Sequence, residues 1–222
     1  MKTIDLTHTL TSDVATFDGG CGFTLSTNCD YKDCIEPNTF RTQNVTCCAG
    51  IGTHMDAPAH CVIGGRTIEK LELAELITDC VVMAVDAADD QDFLILPSVV
   101  EEFEKKHGEI KPNTFVIFHT GWEKYWGDAK KFRNNLSFPS VHASTAELLL
   151  KRDIAGLGID TLSADAKGRD FPVHRLFLGA GKYLVENVAN AKSLPPTGSR
   201  ICVLPMKIKD ATEAPVRLIG LY

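Results

Sequence analysis

Residues 50–65 read GIGTHMDAPAHCVIGG and hold three metal- or proton-binding side chains, His54, Asp56 and His60, within seven positions. In an extended chain alternate side chains share a face, so His54 and Asp56 project to the same side, about 7 Å apart along the strand. Two such groups can converge on one divalent ion, and imidazole nitrogen with carboxylate oxygen suits Zn²⁺, Mn²⁺ or Fe²⁺. Gly50, Gly52 and the Ala57-Pro58-Ala59 run leave little side-chain bulk, so an ion or substrate could approach the backbone closely. The same residues also fit a turn whose polar groups are satisfied by hydrogen bonds. On local chemistry alone both readings stand.

Outward from this stretch the pattern is mixed α and β. Val81–Ala87 and Thr114–Phe118 are short β-branched, apolar runs that predict buried strands. Between them Pro97 opens a segment of helical spacing that Gly108 ends. A second helix is predicted over Ser144–Arg152, then a strand over Ile154–Ile159. Residues 200–208 and 216–221 alternate and predict two more strands. The order implies a β-rich α/β domain, and with no repeat or linker residues 1–222 are read as one domain.

Composition bounds the task. The chain has 222 residues, 44% apolar and 23% charged, with a formal net charge of −6. That apolar content excludes disorder as the main state. An acidic balance without a basic run argues against nucleic acid or an anionic membrane as the partner. The first 17 residues contain no apolar run of signal-peptide length, and no stretch approaches a membrane span, which predicts a cytoplasmic protein. Seven of the eight cysteines precede residue 81. Their spacing makes no paired C-x2-C knuckles, and without a secretion signal they read as reduced, small apolar residues.

Further ligands must come from elsewhere, because an open mononuclear site needs about three. His107 lies at the charged end of a predicted helix, His142 at a helix start and His119 at a strand end, all positions that suit structural roles. His174 differs, lying in the Gly-rich apolar segment DFPVHRLFLGAGKYLVEN with Glu186 twelve residues on. A carboxylate among Leu184, Val185 and Val188 needs a partner, since an isolated buried charge is costly. A metal is one such partner; Arg175 or Lys182 is another.

Six motifs in order resemble the cyclase family of metal-dependent hydrolases, which includes kynurenine formamidases and isatin hydrolases. They are Asp5-Leu6-Thr7-His8, Gly52-Thr53-His54-x-Asp56-x-Pro58-x-His60, Thr120-Gly121-Trp122, Gly158-Ile159-Asp160 with Ser163, Phe171-Pro172-Val173-His174 with Glu186, and Ala214-Pro215-Val216-Arg217. The resemblance implies a β/β/α fold in which antiparallel strands wrap a small mixed α/β core, assembled as a homodimer or larger homo-oligomer. It implies one or two divalent ions, Zn²⁺ or Mn²⁺, with His54, Asp56, His174 and Glu186 as ligands. His60 would be the catalytic proton-transfer residue, and Trp122, with Tyr125 and Trp126, could wall a flat substrate or equally pack in the core. The reaction implied is hydrolysis of a small amide, formamide or lactam by a metal-activated water.

One position departs from the family pattern H-x-G-T-H: its first His, a ligand, falls on Gly50. Three outcomes follow from the residues. The remaining ligands hold one ion; a thiolate substitutes, Cys48 having the better strand parity; or metal affinity is lost and the chain is a non-catalytic binding protein.

Overall fold

The structure is a computed structural model that describes residues 1–87, 90–166, 168 and 170–222. Its strands are β1 (Thr3–Asp5), β2 (Phe23–Cys29), β3 (Thr42–Cys47), β4 (His54–Asp56), β5 (Ile77–Ala84), β6 (Leu94–Ile95), β7 (Phe115–His119), β8 (Ser140–Val141), β9 (Gly156–Ile159), β10 (Tyr183–Glu186), β11 (Ser199–Pro205) and β12 (Glu213–Leu221). The α-helices are α1 (Leu73–Leu76), α2 (Pro97–His107), α3 (Ala129–Arg133), α4 (Ala143–Lys151) and α5 (Pro172–Gly179).

Seven strands close on themselves. The order is β12-β11-β5-β7-β9-β10-β4, and β4 pairs again with β12, while β1 adds to the far end of β12. The pairs among β5, β7, β9 and β10 are parallel, whereas β11, β12 and β4 join antiparallel. The expected arrangement of antiparallel strands wrapped around a separate mixed core is therefore corrected: both kinds of pairing belong to one mixed barrel. The connections dictate this, since each parallel neighbour is reached by a crossover carrying a helix, α2, α4 or α5.

Alternation along the strands fills both faces. Cys80 and Val82, Phe115 and Ile117, Tyr183 and Val185, and Ala214, Val216 and Leu218 point into the barrel with Met55. The intervening Met83, Val116, Phe118, Leu157, Ile159 and Leu184 face outward, where α2, α4 and α5 cover them. On β9 the inward positions are Gly156 and Gly158. A Cβ there would come within 2.6 Å of the Tyr183 ring and 2.9 Å of the Phe115 ring. These glycines make room for the two largest rings in the barrel.

Local signals explain the helices. In α2, Pro97 takes the first turn, Lys105, Lys106 and His107 lie in the last, and Gly108 follows at φ 92°. The Nδ1 of His142 accepts from the Ser144 N–H at 3.2 Å and caps α4. Strand boundaries differ more: β9 starts at Gly156 rather than Ile154, and β11 ends at Pro205 rather than Ile208. β5 starts four residues before the predicted Val81 and ends three residues before Ala87. β12 begins at Glu213 rather than Val216, because Pro215 does not stop it. Its carbonyl still accepts from the Met206 N–H at 3.1 Å, so the ladder continues through the ring.

Candidate metal centre

The register of β4 assembles the site. This three-residue strand, His-Met-Asp, is buried between β10 and β12, with Glu186 opposite His54 on one side and Glu213 opposite Asp56 on the other. Directly opposed residues share a face. His54, Asp56, Glu186 and Glu213 therefore point to one side, while Met55, Val185 and Ala214 point into the barrel core. The N-terminal turn of α5 brings His174 over this face, and a 3-10 turn at Pro58–His60 brings His60 to its rim.

Each imidazole is aimed by its Nδ1. That of His54 lies 2.8 Å from the Gly52 carbonyl, which only accepts, so Nδ1 carries the proton and Nε2 faces the carboxylates. That of His174 lies 2.8 Å from Asp165 Oδ2. Asp165 also accepts from the Val173 and His174 N–H groups at 3.1 and 3.0 Å, capping α5 as it fixes the ring.

The resulting spacing is that of an ion site. His54 Nε2 is 3.5 Å from both Asp56 Oδ1 and Glu186 Oε2. His174 Nε2 is 3.5 Å from Asp56 Oδ2 and 3.4 Å from Glu186 Oε1. Each ring thus faces one oxygen of each carboxylate. These separations are long for charge-assisted hydrogen bonds, but two donors about 2.1 Å from a tetrahedral ion lie roughly 3.4 Å apart. Asp56 is 2% exposed, and its Oδ1 has no hydrogen-bond partner. Such an atom is costly without a cation. Two sets of donors, His54 with Asp56 and Glu186, and Asp56 with His60 and His174, lie within 4.8 Å of one another. The residues present fit a divalent ion.

Electrostatics agree with that donor set. Burial opposes charge on His54, but the Asp56 and Glu186 carboxylates outweigh it and raise its pKa. His174 is raised well above the usual imidazole value: burial works against it, and Asp165, Asp56 and Glu186 overcome that opposition. Burial favours neutral Asp56, yet His174 and His54 hold its carboxyl below the ordinary range. Glu213 Oε2, 3.4 Å from His60 Nδ1, is the main cause of a raised His60 pKa.

A cavity of about 500 Å³ opens over these groups, with Phe17 and Phe171 in its lining. Their ring centroids are 5.9 Å apart, and Phe171 also meets His174 edge-on at 5.7 Å. Phe171 holds φ 48°, an uncommon backbone state for an aromatic residue.

Two sequence expectations are corrected by position. Trp122 does not line this cavity; it is 5% exposed, and its indole N–H donates to the Phe132 carbonyl at 2.9 Å inside a separate aromatic cluster. The wall facing the site comes from Phe17 and Phe171. Cys48 is exposed and does not line the cavity, although Gly50 two residues on does. Its parity argument required a regular strand, whereas β3 ends at Cys47 and the chain turns at residues 49–50. Asp165 and Glu213 escaped the sequence reading. The first is signalled only by a helix start seven residues later, the second only by β-register.

Comparison with known proteins places this geometry. The family model described as "Putative cyclase" matches residues 4–166. The chain belongs to the cyclase family. Among curated cyclase-family relatives, the isatin hydrolase of Roseibium aggregatum is 31% identical over 188 residues, covering 77% of this chain and 70% of the relative. The kynurenine formamidase of Bacillus cytotoxicus is 23% identical, covering 97% of this chain and 95% of its own length. A crystal structure of an isatin hydrolase bound to the product analogue thioisatinate superposes with a TM-score of 0.90 at 26% identity, covering 100% of this chain and 92% of that one.

Proposed function

We propose that this cyclase-family chain is a metal-dependent hydrolase of C–N bonds in a small amide, formamide or lactam. The observation that carries the reading is the set of four contacts at 3.4–3.5 Å between two imidazoles and two carboxylates, around an otherwise unpartnered Asp56 oxygen. His54, Asp56, His174 and Glu186 would hold one or two divalent ions, Zn²⁺ or Mn²⁺. A bound ion would supply Lewis acidity to polarise a carbonyl and to lower the pKa of a water.

The chain's own residues supply the rest. His60 sits at the rim, its side chain 33% exposed, where it can take a proton from water and return it to a leaving nitrogen. Glu213 beside Nδ1 favours its protonated form and orients the ring. Phe17 and Phe171 offer apolar faces to a flat substrate and narrow the approach of water. The named activities of the isatin hydrolase and kynurenine formamidase relatives support this substrate class. A cytoplasmic setting and a homodimer belong to the same reading. The hairpin β2–β3, which leaves Leu25 and Val45 exposed, supports self-association.

Metal analysis tests the reading first. Purified protein loaded with Zn²⁺ or Mn²⁺ should retain at least one ion per chain under conditions that saturate an ordinary site, and less than about 0.1 would sink it. His60→Ala should lower turnover by about 10²- to 10⁴-fold while sparing the bound ion. Loss of metal in that variant would make His60 a ligand instead.

A further inference from the structure

Gly50 lines the cavity, and the space its side chain would occupy is already filled. A Cβ built there would fall inside the contact radius of Glu213 Oε1, 3.2 Å from Glu213 Cδ and 3.4 Å from His54 Nε2. The Glu213 carboxylate and the His54 ring therefore flank one small volume. Glu213 arrives there because β12 pairs it directly with Asp56, on the face that carries the site. Its two oxygens are divided: Oε1 faces Gly50, and Oε2 lies 3.4 Å from His60 Nδ1. Asp56 Oδ1, buried and unpartnered, opens on the same side through its 3.5 Å approach to His54.

We propose that Glu213 is a further metal ligand, an anionic oxygen that completes the His54–Asp56 side of the centre in the place where a side chain at position 50 would otherwise reach. The proposal rests on the metal-dependent reading above. It has a chemical consequence. Oxygen anions suit harder ions better than imidazole does, so Glu213 tilts the donor set toward Mn²⁺ relative to Zn²⁺. It also ties the ion to the proton-transfer residue, because one carboxylate serves both through separate oxygens.

The test is calorimetric titration of the full-length, metal-stripped chain with Mn²⁺ and with Zn²⁺. Glu213→Gln keeps the shape and removes the charge; it should weaken Mn²⁺ binding at least tenfold while leaving the circular dichroism spectrum of the ion-free protein unchanged. Combining Gly50→His with Glu213→Ala, which empties the space that a glutamine would still fill, should restore binding and raise the Zn²⁺-to-Mn²⁺ affinity ratio at least tenfold over the parent chain. Wild-type Mn²⁺ affinity in Glu213→Gln overturns the proposal. So does failure of Gly50→His to rescue, since the two side chains would then not be interchangeable. Asp56→Asn separates this result from the broader reading. If Asp56→Asn abolishes binding while Glu213→Gln does not, only the role of Glu213 falls. If the parent chain binds neither ion, both fall.

Discussion

Asp165 points its carboxylate at backbone and imidazole rather than at the cavity, yet it decides where His174 Nε2 lies. Outer partners of this kind commonly contribute 10- to 100-fold to metal affinity. Asp165→Asn should therefore weaken ion binding by about that factor while leaving the circular dichroism spectrum unchanged. Titration against the parent chain checks it, and unaltered affinity would deny Asp165 its positioning role. The contrast between Asp165 and its neighbours shows what could be read from the chain. His54 and Asp56 announce themselves because ligand chemistry and strand spacing coincide within three residues. His174 and Glu186 stand out as polar residues in an apolar segment. Asp165 and Glu213 have no such local signature, for their roles arise from a helix start and from a strand pairing that only the closed barrel creates.

The elements that shape the site are held by packing that a single methyl group would upset. Gly158→Ala places a carbon 2.9 Å from Phe115 Cε1 and 3.3 Å from Ile117 Cγ1, inside the barrel. Overpacking of this kind costs about 1–3 kcal/mol, so urea unfolding should show a lower midpoint with an unchanged slope. A midpoint equal to that of the parent would mean that the rings move aside freely. On the outer layer, Arg152 at the end of α4 clamps Glu104 of α2 with two contacts of 2.8 and 2.9 Å. Arg152 is the main cause of a lowered Glu104 pKa. A carboxyl depressed on folding stabilises above its unfolded value, here 4.5, and loses that contribution as pH falls through the folded value. Glu104→Gln should accordingly melt earlier than the parent at pH 7, and the two should converge in acid. A constant gap across pH would refute the electrostatic origin. These elements were largely legible: α2 was bounded by its Pro and Gly, and α4 fell within one residue of expectation. Strand ends were less so, because pairing carried β12 back through Pro215 to Glu213.

At the scale of the whole molecule, protons and an ion compete for the same groups. In the ion-free protein His54, His60 and His174 all have pKa values above 6.5. Their raised values stabilise the fold fully below about pH 6.5 and progressively less as pH climbs through the folded values. Ion binding needs the neutral rings. The ion-free melting temperature should therefore fall as pH rises above about 6.5, and the rise on adding Mn²⁺ should be larger at the alkaline end. Scanning calorimetry with and without the ion reads both trends, and an ion-induced shift independent of pH would contradict them. The composition indicated a foldable α/β chain, but it could not show that parallel and antiparallel strands would join in one ring. That closure depends on β4, whose three residues pair on both edges and join His54 to Pro215, about 160 positions away in sequence. Contacts so distant in sequence close large loops and tend to form late in folding. The donors of the centre sit across this clasp, with Glu186 on β10 and Glu213 on β12, so a bound ion would tie the closing strand to the neighbours on both its edges.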